Sequence, residues 1–154
     1  MTIIRKLHPL VIALLFWGCA TSQLPPNATN AQRAAAAISD AEKGAKLLIG
    51  PAVTAYLITV KPAEQARRAA MVYTVATAVN SAATGAILSA DQLSAIITSF
   101  GHNDPTILQL AQVISSTYAS VYGLFPVAGS SPAKFLSDIA LTAENAAQPF
   151  LAHP

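Results

Sequence analysis

The chain has 154 residues, nine of them Lys or Arg and seven Asp or Glu, which gives a formal net charge of +2. Charged residues make up 10% of the chain, whereas a soluble domain has about 25%. A chain so close to neutral lacks the basic patch that nucleic-acid phosphates require, which argues against a nucleic-acid partner. The length suits one domain, and a single cysteine leaves no internal disulfide, so the fold must rely on its core.

The first 19 residues contain the three parts of an export signal. Arg5 and Lys6 form the positive start, residues 10–17 form an apolar run, and Gly18-Cys19 forms the small-residue end. The run is shorter than the roughly 20 apolar residues that an ordinary spanning helix needs. The sequence therefore predicts an exported protein with a signal peptide at residues 1–18.

The end of this signal resembles the lipobox of bacterial lipoproteins, in which a small residue precedes an acylated cysteine. The resemblance covers residues 1–19 and implies cleavage after Gly18, lipid attachment at Cys19 and membrane binding through N-terminal acyl chains. Ala20 follows the cysteine, which by the same resemblance favours the outer membrane, facing the periplasm, over the inner membrane. Phe16 and Trp17 depart from the usual pattern, and the alternatives are ordinary cleavage after Ala20 and an uncleaved anchor.

Residues 19–32 contain two prolines, several small polar residues and no charged residue, a composition typical of a flexible tether. We expect a helical domain at 33–148 and a C-terminal tail at 149–154. Loss of Arg5 and Lys6 with the signal would leave seven cations against seven anions. A neutral domain also lacks a polybasic contact with anionic lipid.

The apolar periodicity after the tether is helical, and no alternation typical of strands competes with it. The first helix shows a seam spaced by three and four residues, and Gly50-Pro51 within it predicts a kink or two helices that meet there. The seam consists of Ala34, Ile38, Ala41, Ala45, Leu48, Ala52 and Ala55.

Later helix boundaries are marked by capping residues. Pro62 begins a helix that we expect to run to about Ser81, with residues 82–85 as its end. Ser89 to Gln92 is a capping box, and Asp104-Pro105 and Ser131-Pro132 begin two more helices. Residues 124–130 read as an apolar loop. The predicted fold is all-α, a bundle of five or six short helices.

The second half of the chain is poor in charge, with five charged residues between positions 69 and 154. This predicts exposed apolar surface for a partner or a membrane, although the abundance of weakly hydrophobic alanine explains it equally well. Residues 69–90 carry no charge and are long enough to span a bilayer, but their threonine, serine and asparagine content argues against spanning.

Signatures of an enzyme are absent or weak. Ser130 lacks the spacing of a nucleophile elbow, and Ser131 is better explained as a helix cap. His102 and Asp104 supply too few ligands for a metal. We therefore expect no catalytic residues, no metal and no cofactor. Arg67 and Arg68 could clamp an anion, but a solvated helix face beside Glu64 is the favoured interpretation.

Tyr118, Tyr122 and Phe125 form the densest aromatic group of the sequence. They are candidate partner-binding residues, because aromatic side chains dominate interface energies. Core packing is the competing interpretation, and it is the favoured one. The test is whether these side chains are exposed on the folded domain.

Together these features predict a lipid-anchored, non-enzymatic protein of the cell envelope whose helical domain is a structural module or contacts another envelope protein. One alternative is a phage-type or prophage-type surface lipoprotein that blocks an outer-membrane receptor. A second alternative, suggested by the charge-poor half, is a membrane-active protein of the holin or pore type.

Overall fold

A computed structural model describes residues 24–100 and 104–151 of the chain, and this part contains six α-helices, a 3₁₀ turn and no strand. The prediction of an all-α bundle is thereby confirmed. The helices are α1 (Asn30–Ile58), α2 (Pro62–Gly85), α3 (Ala90–Phe100), α4 (Pro105–Tyr122), α5 (Phe125–Ala128) and α6 (Pro132–Ala147), and the 3₁₀ turn is Gln148–Phe150.

Helix α1 begins inside the segment that was predicted to be a tether. The Thr29 hydroxyl accepts a hydrogen bond from the Gln32 amide at 3.2 Å, and the Gln32 side chain accepts one from the Thr29 amide at 2.8 Å. This reciprocal capping box satisfies two amides that a helix start leaves without partners. The predicted boundary at residue 33 is therefore wrong by three residues, because residues 30–32 belong to the helix.

Pro51 lies within α1, which continues through it as one helix of 29 residues rather than as two. The predicted seam is correct at Ala34, Ile38 and Ala45, but beyond Ala45 the buried side chains are one residue later than predicted. The predicted seam alternates steps of four and three residues, an average of 3.5, whereas a straight helix turns once per 3.6 residues. A seam with this spacing therefore gradually leaves the buried face of the helix. Two successive steps of four, through Ile49 to Val53, restore the contact, and the buried positions here are Ile49, Val53, Tyr56 and Leu57.

Helix α2 runs four residues beyond its predicted end at Ser81, because Ala83 is buried and packs in the core. Within the described residues no helix is long and apolar enough to cross a membrane.

The capping box predicted before α3 is confirmed: the Ser89 hydroxyl accepts from the Gln92 amide at 3.2 Å, and the Gln92 side chain accepts from the Ser89 amide at 2.8 Å.

The core lies where α6 packs against both α1 and α2. Leu136, Ile139 and Ala140 of α6 are buried, as the sequence predicted, and Phe135 is buried in addition. The Ser131 hydroxyl caps α6 by accepting a hydrogen bond from the Lys134 amide. Phe150 and Leu151 pack partly buried against the core, so the predicted tail at 149–154 belongs in part to the domain.

The apolar segment predicted as a loop contains a single helical turn, α5. Phe125, at the start of this turn, is 1% exposed and fixes the segment to the core. Gly129 closes the turn with φ of 63°, a left-handed conformation that favours glycine. The Ser130 amide then donates to the Phe125 carbonyl at 3.1 Å. The buried ring, the left-handed glycine and this hydrogen bond together hold the segment as a helical turn.

Candidate functional site

The aromatic group proposed from the sequence as a partner-binding site is mostly core. Tyr118 is fully buried and Phe125 is 1% exposed, whereas Tyr122 is 40% exposed. The Tyr118 ring lies 6.0 Å from the rings of both Phe125 and Phe135, and those two are 5.8 Å apart. The assignment of Tyr118 and Phe125 to an interface is corrected, because each ring is enclosed by its aromatic neighbours. Of the three, Tyr122 alone can reach a partner.

The predicted cleavage site at Gly18 and lipid attachment site at Cys19 lie outside the described residues, as does His102. Their roles remain predictions from the sequence. In the part of the chain that the structure describes, no three side chains of His, Cys, Asp or Glu lie close enough together to hold a metal ion.

A cleft of about 490 Å³ opens where the end of α1 meets the first half of α2, with Phe100 at the end of α3 and Asp104 before α4 also in its lining. Its size is within the range of small-molecule sites, about 300 to 1,000 Å³. The walls combine two guanidinium groups, a phenol and a carboxylate with a thioether and an aromatic ring. The side chains that line it are Tyr56, Arg67, Arg68, Ala70, Met71, Thr74, Phe100 and Asp104.

A hydrogen bond between Tyr56 and Asp104 forms the base of the cleft. The Tyr56 hydroxyl donates to Asp104 Oδ2 at 2.8 Å and so joins the end of α1 to the start of α4. Asp104 Oδ1 accepts from the backbone amides of Thr106 at 2.9 Å and of Ile107 at 3.4 Å, which is the N-cap that the sequence predicted. Both carboxylate oxygens of Asp104 therefore accept hydrogen bonds from within the fold.

The Tyr56 phenol is held in its uncharged form. Burial, followed by the hydrogen bond to Asp104 and the negative charge of that carboxylate, raises the pKa of Tyr56 to about 12. The positive charge of Arg68 acts in the opposite direction without reversing the shift. At neutral pH Tyr56 is consequently a neutral hydrogen-bonding group and an aromatic wall.

Arg68 is the less exposed of the two cations in the cleft. Its guanidinium carbon lies 4.8 Å from the centre of the Tyr56 ring, within cation–π distance. Its nearest carboxylate is that of Glu64, one turn earlier on α2, at 3.9 Å, and the Glu64 side chain is 50% exposed. An ion pair this long and exposed contributes little. Arg67, the preceding residue, is exposed at the rim.

Sequence reasoning had singled out Arg67 and Arg68 but had not placed Tyr56, Met71 or Phe100 beside them. The structure brings those residues together because only a short turn separates the end of α1 from the start of α2, and α3 packs against α2. A signal was present in the sequence, since Tyr56 falls on the buried face of α1 once that face is traced with steps of four residues. Its contact with Asp104, 48 positions away, had no local signal.

Comparison with models of protein families, with curated proteins and with solved structures finds no match for this chain.

Proposed function

We propose that this chain is a lipid-anchored, non-enzymatic protein of the cell envelope whose helical domain binds another envelope protein. The three-part signal and Cys19 support the anchoring. Ala20 after the cysteine supports an outer-membrane location facing the periplasm. The membrane is then contacted through the acyl chains, and the folded domain is free to meet its partner.

The observation that carries the binding role is the cleft between α1, α2 and α4. Concave sites with mainly apolar walls and a few convergent polar groups are where proteins usually bind ligands. Arg68 is positioned by Tyr56, so part of the polar set is in place before a partner arrives. A site that is formed in advance loses less conformational entropy on binding.

Binding is favoured over catalysis because the titratable groups of the cleft are already committed to the fold. Asp104 accepts three hydrogen bonds, two of them as the cap of α4, and Tyr56 stays protonated well above neutral pH. A general base needs a pKa near the working pH and access to the proton it removes. Tyr56 lacks the first property, and the three hydrogen bonds that Asp104 accepts leave its carboxylate little access to a substrate proton.

Mass spectrometry of the protein extracted from membranes tests the anchoring. We expect residues 1–18 to be missing and Cys19 to carry acyl chains, whereas Cys19→Ser should accumulate as an unprocessed precursor. A mature chain that begins at Thr21 without lipid mass would refute the anchoring, because it would show ordinary signal cleavage after Ala20.

Photo-crosslinking in living cells tests the binding role. A crosslinking amino acid at Thr74, on the exposed rim of the cleft, should give a discrete conjugate with an envelope protein. Ser116, exposed on α4 and about 18 Å along the helix from Asp104, is the matched control position and should give none. Equal labelling from both positions would contradict a role for the cleft. A conjugate with an outer-membrane receptor would favour the receptor-blocking alternative.

A further inference from the structure

We propose that the cleft binds an anionic group, a carboxylate or a phosphate attached to an apolar moiety, with Arg67 and Arg68 as its ligands. This inference deepens the proposed function and rests on it for the binding role of the cleft.

The charge of the walls favours an anion. Two guanidinium groups and one carboxylate line the cleft, and that carboxylate already accepts hydrogen bonds from within the fold. Glu64, the second carboxylate nearby, is 50% exposed and 3.9 Å from Arg68, so it offsets the charge of Arg68 only weakly. Guanidinium has five donors in a planar fork that matches carboxylate and phosphate oxygens. Arg68 stacks on Tyr56 at 4.8 Å, and its hydrogen-bonding interaction with the Tyr56 hydroxyl and its 3.9 Å contact with Glu64 use only some of its five donors, so others remain available to a ligand.

The hydrogen bonding of Asp104 argues against a cationic ligand. Its Oδ2 accepts from the Tyr56 hydroxyl and its Oδ1 from two amides at the start of α4. The positive end of the α4 dipole also acts on this carboxylate. Asp104 is therefore stabilised from within the fold, and a cation would have to displace contacts that already exist.

The apolar walls indicate what accompanies the anion. Met71 and Phe100 line the cleft, and Phe100 is 41% exposed although it is a large aromatic residue. An apolar group against these side chains would remove them from water, which a bare inorganic anion cannot do. We therefore expect an amphipathic anion to bind more tightly than inorganic phosphate.

Titration of the full-length protein in a non-ionic detergent tests the inference by calorimetry or NMR. The probes are phenyl phosphate, 3-phenylpropionate, inorganic phosphate and the neutral 3-phenylpropanamide. We expect saturable binding of at least one aromatic anion and at least tenfold weaker binding of the amide. Which aromatic anion binds more tightly identifies the source as phosphate or carboxylate. Absence of binding by both, or equal binding of the amide, would overturn the inference.

Matched charge variants locate the site. Arg67 is exposed, so Arg67→Gln should leave the fold intact while weakening the anion at least tenfold. Lys43→Gln removes the same charge from an exposed position of α1, about 20 Å from Tyr56 along the helix, and should leave affinity unchanged. Equal losses in both variants would show a non-specific charge effect and overturn the site.

The inference and the proposed function can fail separately. A lipidated protein that gives the Thr74 conjugate but binds no anionic probe would overturn only the ligand class. A chain that binds the anions through Arg67 but is not acylated at Cys19 would overturn the lipid anchor and leave the site in place.

Discussion

The hydroxyl of Tyr118 donates a hydrogen bond of 2.8 Å to the backbone carbonyl of Leu88, in the turn between α2 and α3. Both residues are buried, and the bond crosses 30 positions of sequence. The ring of Tyr118 packs between Tyr122, Phe125 and Phe135, while its hydroxyl gives the Leu88 carbonyl a partner away from water. Tyr118 thus joins the aromatic core to the turn that begins α3.

Replacing Tyr118 by Phe should lower the free energy of unfolding by about 1–3 kcal/mol, because the buried Leu88 carbonyl loses its partner. Denaturation with urea measures the change. Tyr122→Phe is the matched control and should have little effect, since Tyr122 is half-exposed at its position on α4. A Tyr118→Phe variant as stable as the original protein would contradict a structural role for this bond.

Stability should fall in alkaline solution as the pH rises from about 10 towards 12. The pKa values of Tyr56 and Tyr118 are both raised to about 12, chiefly by burial, so the folded protein holds these protons more tightly than the unfolded chain does. Their contribution is complete below the ordinary tyrosine pKa near 10 and is lost above it. Unfolding of Tyr56→Phe and Tyr118→Phe at several pH values should show a shallower decline in each variant, and an unchanged slope would contradict this assignment.

A charge network between α1 and α6 should make a small contribution that disappears in acid. A hydrogen bond from Lys134, together with the charge of Lys46 at 3.9 Å, holds the pKa of Asp138 below its usual range. This contribution is present above the unfolded pKa of about 3.9 and is lost as the pH falls through the lower folded value. Asp138→Asn should therefore cost up to about 1 kcal/mol at neutral pH and nothing well below pH 4.

A double-mutant cycle of Lys46→Gln and Asp138→Asn measures the part of this effect that crosses between α1 and α6. We expect a coupling of a few tenths of a kcal/mol that decreases in high salt, because the pair is partly exposed. Strictly additive losses would show that Lys46 does not contribute to the effect of Asp138.

Ser115 should be replaceable by alanine without loss of stability. Its hydroxyl is buried in α4 and has no hydrogen-bond partner among the described residues, so it carries a desolvation cost without compensation. We expect Ser115→Ala to be neutral or to stabilise by up to about 1 kcal/mol. Ser116→Ala is the control, because it gives the same gain in helix propensity at an exposed position. If Ser115→Ala instead lowered the free energy of unfolding by more than about 1 kcal/mol, the Ser115 hydroxyl would have a hydrogen-bond partner that stabilises the fold.

Local chemistry in this chain could be predicted from the sequence, and long-range contacts could not. The caps at Ser89, Asp104 and Ser131 were correctly identified because each depends on a side chain and an amide two or three positions away. The box at Thr29 and Gln32 has the same form and was missed because the prolines before it suggested a tether.

Predictions that depended on packing were less accurate. The alanine-rich seam of α1 did not define a face beyond Ala45, since small side chains alternate with larger ones on both sides of the helix. Exposure of Phe125 could not be inferred from an apolar segment, because the ring is enclosed by Tyr118 and Phe135, which lie on two other helices. The cleft likewise depends on Tyr56 and Asp104 meeting across 48 positions.

The position of the cleft near the end of α1 determines how far from the membrane it can operate. Tyr56 lies about 40 Å along the helix from Asn30, at 1.5 Å of rise per residue. If Cys19 is acylated as proposed, the hydrogen-bonded turn at Pro25–Ala28 leaves residues 20–24 to extend, and they add about 17 Å at most. The start of α1 would then be the part of this helix nearest the lipid headgroups. The cleft, at the other end of α1, could reach partners tens of ångströms from the bilayer. Shortening the tether should therefore change which partners come within range while leaving the affinity of the cleft unaltered.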